Sequence, residues 1–372
     1  MARPSKTSDL YHRIGQLLII GFEATEVSAH LGSLLSRLQP AGVILFARNI
    51  TSPDQTYQLL KNCQAWVSTP MFTCVDMEGG RVDRLKNIIA PAPSAAEVFA
   101  SGDRKLFRKH GKLIGDSCRA VGFNTDFAPV VDLAYEVSRT VMGSRAVSAD
   151  PKQAIHYARE FLAGLKSAYV IGAGKHFPGL GEANLDTHHE LPNVDKSWKK
   201  LWEEDIVPYR VMRREMPMIL VGHASYPAVT AKGTPASLSK KWIADILRKK
   251  IGYRGLVVSD DLEMGGVLAA APIEQAAIEH IRAGGDLCLI CRQEEFVVRA
   301  HEALIKEAER DRKFAARVVE SSRRVLAFKK KSRELKRRTA PPSTTKLNQL
   351  SRQLWEFSEQ VRLETINRQE SA

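Results

Sequence analysis

Carboxylates, histidines and strong cations recur along this chain in short stretches punctuated by glycine and proline. Asp76-Met-Glu-Gly-Gly-Arg-Val-Asp-Arg84 sets acids and arginines around a Gly-Gly pair, where the backbone can turn sharply and approach a ligand. Lys175-His-Phe-Pro-Gly-Leu-Gly181 runs into a Gly/Pro-rich loop that continues to Asp186-Thr-His188. Val258-Ser-Asp-Asp-Leu-Glu-Met264 carries two adjacent acids, Asp260 and Asp261. An ionised carboxylate can attack an electrophilic carbon, and a histidine, with an ordinary pKa of about 6.5, gives and takes protons near neutrality. Asp186 stands two residues before His188, a spacing that permits it to bond one ring nitrogen and fix the tautomer, although His189 competes for the role of His188. No HExxH or comparable spacing marks a metal centre, so the chemistry is expected to need no metal and no cofactor.

Such residues act together only if the fold converges them. The chain repeatedly pairs a short apolar or β-branched run with a longer amphipathic segment. Strands are expected at Leu17–Phe22, Gly42–Phe46, Met71–Val75, Phe123–Ala128, Val170–Gly174, Met218–Gly222, Leu256–Ser259 and Asp286–Ile290. Helical spacing fills Ser52–Val67, Pro151–Leu165, Ser239–Lys250 and Ile273–Ala283 between them. Near-continuous apolar strands separated by helices imply a parallel sheet buried on both faces. Eight such units without a long linker fit a closed α/β barrel, the (β/α)8 TIM type, better than an open sheet.

In that barrel the groups just past each strand share one mouth. Arg48 and Asn49 follow the second strand, Asp76 and Glu78 the third, and Asp126 and Asp132 lie around the end of the fourth. Lys175 and His176 follow the fifth, His223 the sixth, and Asp260 and Asp261 the seventh. Any one of these would pass as a helix cap or an ion pair. Six successive strands ending in ionisable groups are harder to explain without a function, because buried charge is costly. Further helical stretches, Glu294–Ala308 and Lys313–Lys331, precede Pro341-Pro342 and a last amphipathic segment. We therefore expect a barrel over residues 1–335 and a helical tail over 336–372.

At 372 residues, with 44% hydrophobic and 26% charged side chains, the composition is that of a globular protein. The longest apolar run near the start, Leu17–Phe22, is too short to span a bilayer, and it lacks the features of a signal peptide, so a soluble, cytoplasmic protein with no membrane partner is expected. Five cysteines, an odd number, argue against a disulfide framework, and Cys288 and Cys291 read as buried thiols in an apolar strand. The net charge of +13 would suit nucleic acid or anionic ligands, but seven Lys/Arg cluster at 329–338, far in sequence from the candidates above. We read that cluster as a solvated helix end, with no nucleic-acid partner.

These stretches, in this order, resemble the signatures of glycoside hydrolase family 3: D-x-E-G-G-R, K-H-F-P-G-x-G followed by D-S/T-H, and S-D-D-L-x-M. The resemblance spans roughly residues 10 to 330 and is strongest to the branch of NagZ-type β-N-acetylglucosaminidases of bacterial cell-wall recycling. It implies a retaining exo-β-N-acetylhexosaminidase with Asp260 as nucleophile, His188 as the acid/base and Asp186 as its partner. It further implies sugar binding by Asp76, Arg84, Arg145 (in Gly-Ser-Arg), Lys175 and His176, and a small-molecule partner, a GlcNAc-containing muropeptide fragment. Met77 departs from the family's usual glutamine and Leu180 from the usual histidine of Pro-Gly-His-Gly. Three rival readings stay open: a phosphorylase, a β-glucosidase-like member of the family, and a non-catalytic sugar- or nucleic-acid-binding protein.

Overall fold

Eight short strands close into a ring. They are β1 (Leu18–Ile20), β2 (Gly42–Ile44), β3 (Phe72–Val75), β4 (Thr125–Asp126), β5 (Ile171–Phe177), β6 (Met218–Val221), β7 (Leu256–Asp261) and β8 (Leu287–Ile290). Each pairs in parallel with its neighbour in sequence, and β1 pairs with β8 to complete the barrel. The computed structural model describes residues 6–183 and 191–371, with side chains from Asp9 onward.

Period-two alternation explains why the strands are apolar throughout. Ile19, Ile44, Phe72, Cys74, Ile171, Ala173, Met218, Leu220, Leu256, Val258, Leu287 and Leu289 form one buried cluster, the barrel interior. The intervening Leu18, Ile20, Val43, Val75, Ile219, Val221, Val257, Cys288 and Ile290 pack outward against the helices. Both faces of each strand are thus covered, as a parallel sheet requires.

Three of the four helices expected between the strands are α-helical; the fourth, Lys241–Lys250, winds as a π-helix instead. Pro53–Ala65 starts on a Ser52 cap that accepts from the Gln55 N–H, and Pro151–Ser167 on an Asp150 cap. Ile273–Ala283 ends on Gly284 in the left-handed region. A helix over Arg104–Ala120 joins them in the outer shell, its buried face packed along Pro151–Ser167. All five cysteines are free and buried.

Helix Arg312–Lys331 forms the floor of the barrel, contributing Val325 and Phe328 to the interior cluster. Here the solvated-helix-end reading needs correcting for one residue. Lys329 is buried; its Nζ donates to Gln16 Oε1 at 2.7 Å and lies 5.2 Å from the centre of the Phe72 ring. The helix turns this side chain inward with Val325, and the long apolar stem makes that burial tolerable. The last helix, Thr344–Glu370, buries Leu350, Leu354, Phe357 and Val361 on one face, and Phe357 stacks on His110 at 5.8 Å. Among the described residues, no helix is long and apolar enough to cross a membrane.

Candidate active site

The inward register of three strands, extended one step, ends in charge. Phe72 and Cys74 point inward, and Asp76 is next in phase; Ile171 and Ala173 lead to Lys175; Leu256 and Val258 lead to Asp260. Sequence reading put Lys175, His176, Asp260 and Asp261 beyond their strands. They are in fact within β5 and at the end of β7. The ladder continues further than an apolar run suggests, because each charged group finds a partner inside the mouth.

Lys175 Nζ lies 2.8 Å from Asp76 Oδ1 and 2.6 Å from Glu78 Oε1. Arg145, in the 3-10 turn Gly143–Arg145, meets the same Glu78 carboxylate with Nε at 2.7 Å and Nη2 at 2.8 Å. Two acids and two cations therefore balance locally. Burial of Glu78 would favour its neutral form, but Arg145 and Lys175 outweigh it and hold the carboxyl far below the usual range. Arg145 Nη2 also sits 3.5 Å from His176 Nε2. On its other side, His176 Nδ1 is 2.6 Å from Asp132 Oδ2.

Asp260 is the acid best fitted to act as a nucleophile. Burial alone would raise its pKa, but the His176 and His223 imidazoles, the Asp261 N–H and the Lys175 ammonium hold it below the ordinary carboxylate value. The Asp261 N–H donates to Asp260 Oδ1 at 2.9 Å. The neighbouring Asp261 is pushed the other way, up to about 7, by burial and by Glu263. Its Oδ1 accepts from the Glu263 N–H at 3.0 Å and the Cys291 N–H at 3.2 Å, which occupies it structurally. Two adjacent acids thus have opposite environments. His223 is buried beneath them, bonded through Nδ1 to Ser237 Oγ and through Nε2 to the Asp261 carbonyl.

Arg84 reaches the mouth from a two-stranded hairpin, Met77–Gly79 and Val82–Asp83. The turn needs its glycines: Gly79 has a φ of +84°, and a Cβ there would come within 2.2 Å of the Pro93 carbonyl. Asp83 fixes the following chain by accepting from the N–H groups of Leu85 and Ala92. The Arg84 guanidinium sits over the Phe46 ring, 5.5 Å from its centre, and its Nε is buried with no hydrogen-bond partner among the described residues. Arg48 shares that ring but is committed to the Phe22 and Cys291 carbonyls and to Glu23. Among the described residues, Arg84 is the one of the four cations Arg48, Arg84, Arg145 and Lys175 that has no acid partner.

The structure therefore brings Asp76, Arg84, Arg145, Lys175, His176 and Asp260 together, while Asp186 and His188 lie outside the described residues. Two participants had no assigned role. Glu78 and Asp132 were visible as acids near strand ends, but nothing in their spacing told that they would clamp the cations and the imidazole. No cluster of His, Cys, Asp and Glu among the described residues is arranged to hold a metal ion.

A closed parallel barrel carrying an ionised acid, imidazoles and fixed cations at the C-terminal ends of its strands is organised as an enzyme of the (β/α)8 class. Residues 9–328 match the Glycosyl hydrolase family 3 N terminal domain. The chain belongs to that family and is a glycoside hydrolase. A β-hexosaminidase of Alkalilimnicola ehrlichii is 36% identical over 287 residues, covering 75% of this chain and 82% of that protein. A β-hexosaminidase of Haemophilus influenzae is 32% identical over 306 residues, or 81% of this chain and 86% of that protein. The solved structure of a family 3 β-N-acetylglucosaminidase from Paenibacillus sp. superposes with a TM-score of 0.87 at 30% identity, covering 94% of this chain and 68% of that one.

Proposed function

We propose that this glycoside hydrolase is a retaining exo-β-N-acetylglucosaminidase that forms a covalent glycosyl-enzyme on Asp260. The carrying observation is the electrostatic setting of that acid, kept ionised by His176, His223 and Lys175 at the barrel mouth. Retention requires one carboxylate to attack the anomeric carbon and a second group to protonate the departing oxygen. His188 takes the second role in this reading, with Asp186 orienting its ring. Water then attacks the glycosyl-enzyme, His188 accepts the water's proton, and Asp260 leaves.

The balanced cluster of Asp76, Lys175, Glu78 and Arg145 supplies preset donors and acceptors for sugar hydroxyls, and the Nε of Arg84, without a partner among the described residues, offers a further donor. The names of the relatives support hexosamine as the sugar. We take the natural substrate to be N-acetylglucosaminyl-anhydro-muramyl fragments, released in peptidoglycan recycling.

The test is chemical trapping. A 2-fluoro or 5-fluoro glycoside should label Asp260, and Asp260→Asn should abolish turnover with the fold intact. A label mapped to Asp261 would overturn the assignment. Release of free sugar at the same rate with and without added phosphate separates hydrolysis from phosphorolysis.

A further inference from the structure

Asp132 is a fully buried carboxylate just beyond β4 that, among the described residues, accepts three hydrogen bonds, from His176 and Leu180. The Val130–Asp132 segment runs beside β5: Val130 bridges Lys175, and the Val131 N–H donates to the Lys175 carbonyl at 2.8 Å. Asp132 Oδ2 lies 2.6 Å from the His176 ring at Nδ1 and 3.1 Å from the His176 main-chain nitrogen. Its other oxygen, Oδ1, accepts from the Leu180 N–H at 2.7 Å. Two of the three partners are main-chain N–H groups, which can only donate, so Asp132 is placed as an acceptor on both oxygens.

That constraint decides the imidazole. With Oδ2 already accepting from the main chain, the 2.6 Å contact is satisfied by a proton on Nδ1. A neutral His176 then presents the lone pair of Nε2 to the mouth, where Arg145 Nη2 stands 3.5 Å away as a donor. The ring cannot turn over without losing the Asp132 contact. The same carboxylate also pins Leu180, whose side chain is buried with Val130, Val131, Phe177 and Tyr226. The Gly179 carbonyl beside it accepts from the Tyr226 hydroxyl at 2.6 Å.

We infer that Asp132 is a positioning residue of the reaction: it holds His176 in the Nδ1–H tautomer and fixes the Phe177–Leu180 turn against the same carboxylate. The ring it orients lies near enough to Asp260 to bear on that carboxyl, so the inference rests on Asp260 as the nucleophile for its kinetic consequence, but not for the tautomer. Asparagine cannot replace it. One oxygen becomes an NH2, which either confronts the Leu180 N–H or donates to Nδ1 and forces the proton onto Nε2.

The test combines nitrogen NMR with a double-mutant cycle. In the wild-type enzyme labelled with ¹⁵N-histidine, and with His176→Ala to assign the signal, Nδ1 of His176 should carry the proton. Asp132→Asn should move or lose that signal and lower kcat/KM by about 10²–10⁴-fold, mainly in kcat. If Asp132 acts through the ring, Asp132→Asn combined with His176→Ala should lose scarcely more than His176→Ala alone. Fully additive losses would overturn the inference, as would a wild-type ring protonated on Nε2; the latter is readable even if Asp132→Asn fails to fold. Should Asp260→Asn keep its activity while the tautomer and the non-additivity hold, the nucleophile assignment fails and the role of Asp132 stands.

Discussion

Glu78 Oε1 lies 2.6 Å from Lys175 Nζ, and the same carboxylate grips Arg145 with both oxygens, so one buried acid holds two cations of the mouth. Glu78→Gln should therefore release two charges at once. Breaking a buried ion pair from one side costs about 3–5 kcal/mol, so a fall in Tm at neutral pH is expected together with a raised KM. The sign with pH follows from the depressed carboxyl: its contribution is present above the ordinary glutamate value of about 4.3 and is lost as pH falls through the folded one. The Tm difference between wild type and variant should narrow in acid. A difference unchanged from neutral pH down into strong acid would contradict this account.

His188→Ala should slow glycosides with poor leaving groups far more than activated aryl glycosides, since only the former need protonation. The gap should approach the 10²–10⁴-fold typical of general acid catalysis. Equal losses on both substrates would remove His188 from the role. Dialysis against EDTA should leave both rates unchanged, and a loss restored by a divalent ion would rule out a metal-independent reaction.

Arg84 should carry whatever salt dependence the enzyme shows. Arg145 and Lys175 are matched by Glu78 and Asp76 within the mouth, which leaves their field on an incoming anion largely cancelled. On an anionic anhydro-muropeptide, kcat/KM should fall as ionic strength rises, and a neutral aryl glycoside should show less of this. Arg84→Met should flatten the first curve toward the second and raise KM. An undiminished salt slope in the variant would place the steering charge elsewhere, with the basic 329–338 stretch the first to examine.

Lys329 gives a second pH signature, of opposite origin. Burial lowers its amine to about 7, against about 10.4 in an unfolded chain. Between those values the unfolded chain binds a proton that the folded one does not, so stability rises with pH across that window and the penalty is full below it. Lys329→Met should raise Tm at pH 6 and gain progressively less toward pH 10. Thermal unfolding across that range checks it; a variant less stable at pH 6 would mean that the Gln16 bond outweighs the buried amine.

The barrel was legible in the chain because its cause is periodic. Eight apolar runs, each covered on both faces, leave a pattern that survives without coordinates: six strands fell within the expected ranges, and β5 and β7 ran past theirs into the charged residues. The candidate residues were legible for a related reason: Asp76, Lys175 and Asp260 extend the inward phase of β3, β5 and β7, so a strand's end and its chemistry lie next to each other in sequence. What the chain could not disclose was how those ends meet. Glu78 looks like any acid before a glycine-rich turn until the barrel sets Lys175 on it from β5 and Arg145 from the turn Gly143–Arg145. Asp260 and Asp261 are chemically identical neighbours, yet one is held ionised by His176 and His223 while the other is buried against Glu263 and pushed up to about 7. Lys329 sits in a run of basic residues that spacing alone assigns to solvent, but the floor helix turns it toward Phe72. Local pattern sets which residues share a face; the partner that each face meets comes from far along the chain. Partners fix ionisation, because a carboxylate or amine removed from water takes its charge from whatever neighbours the fold brings to it.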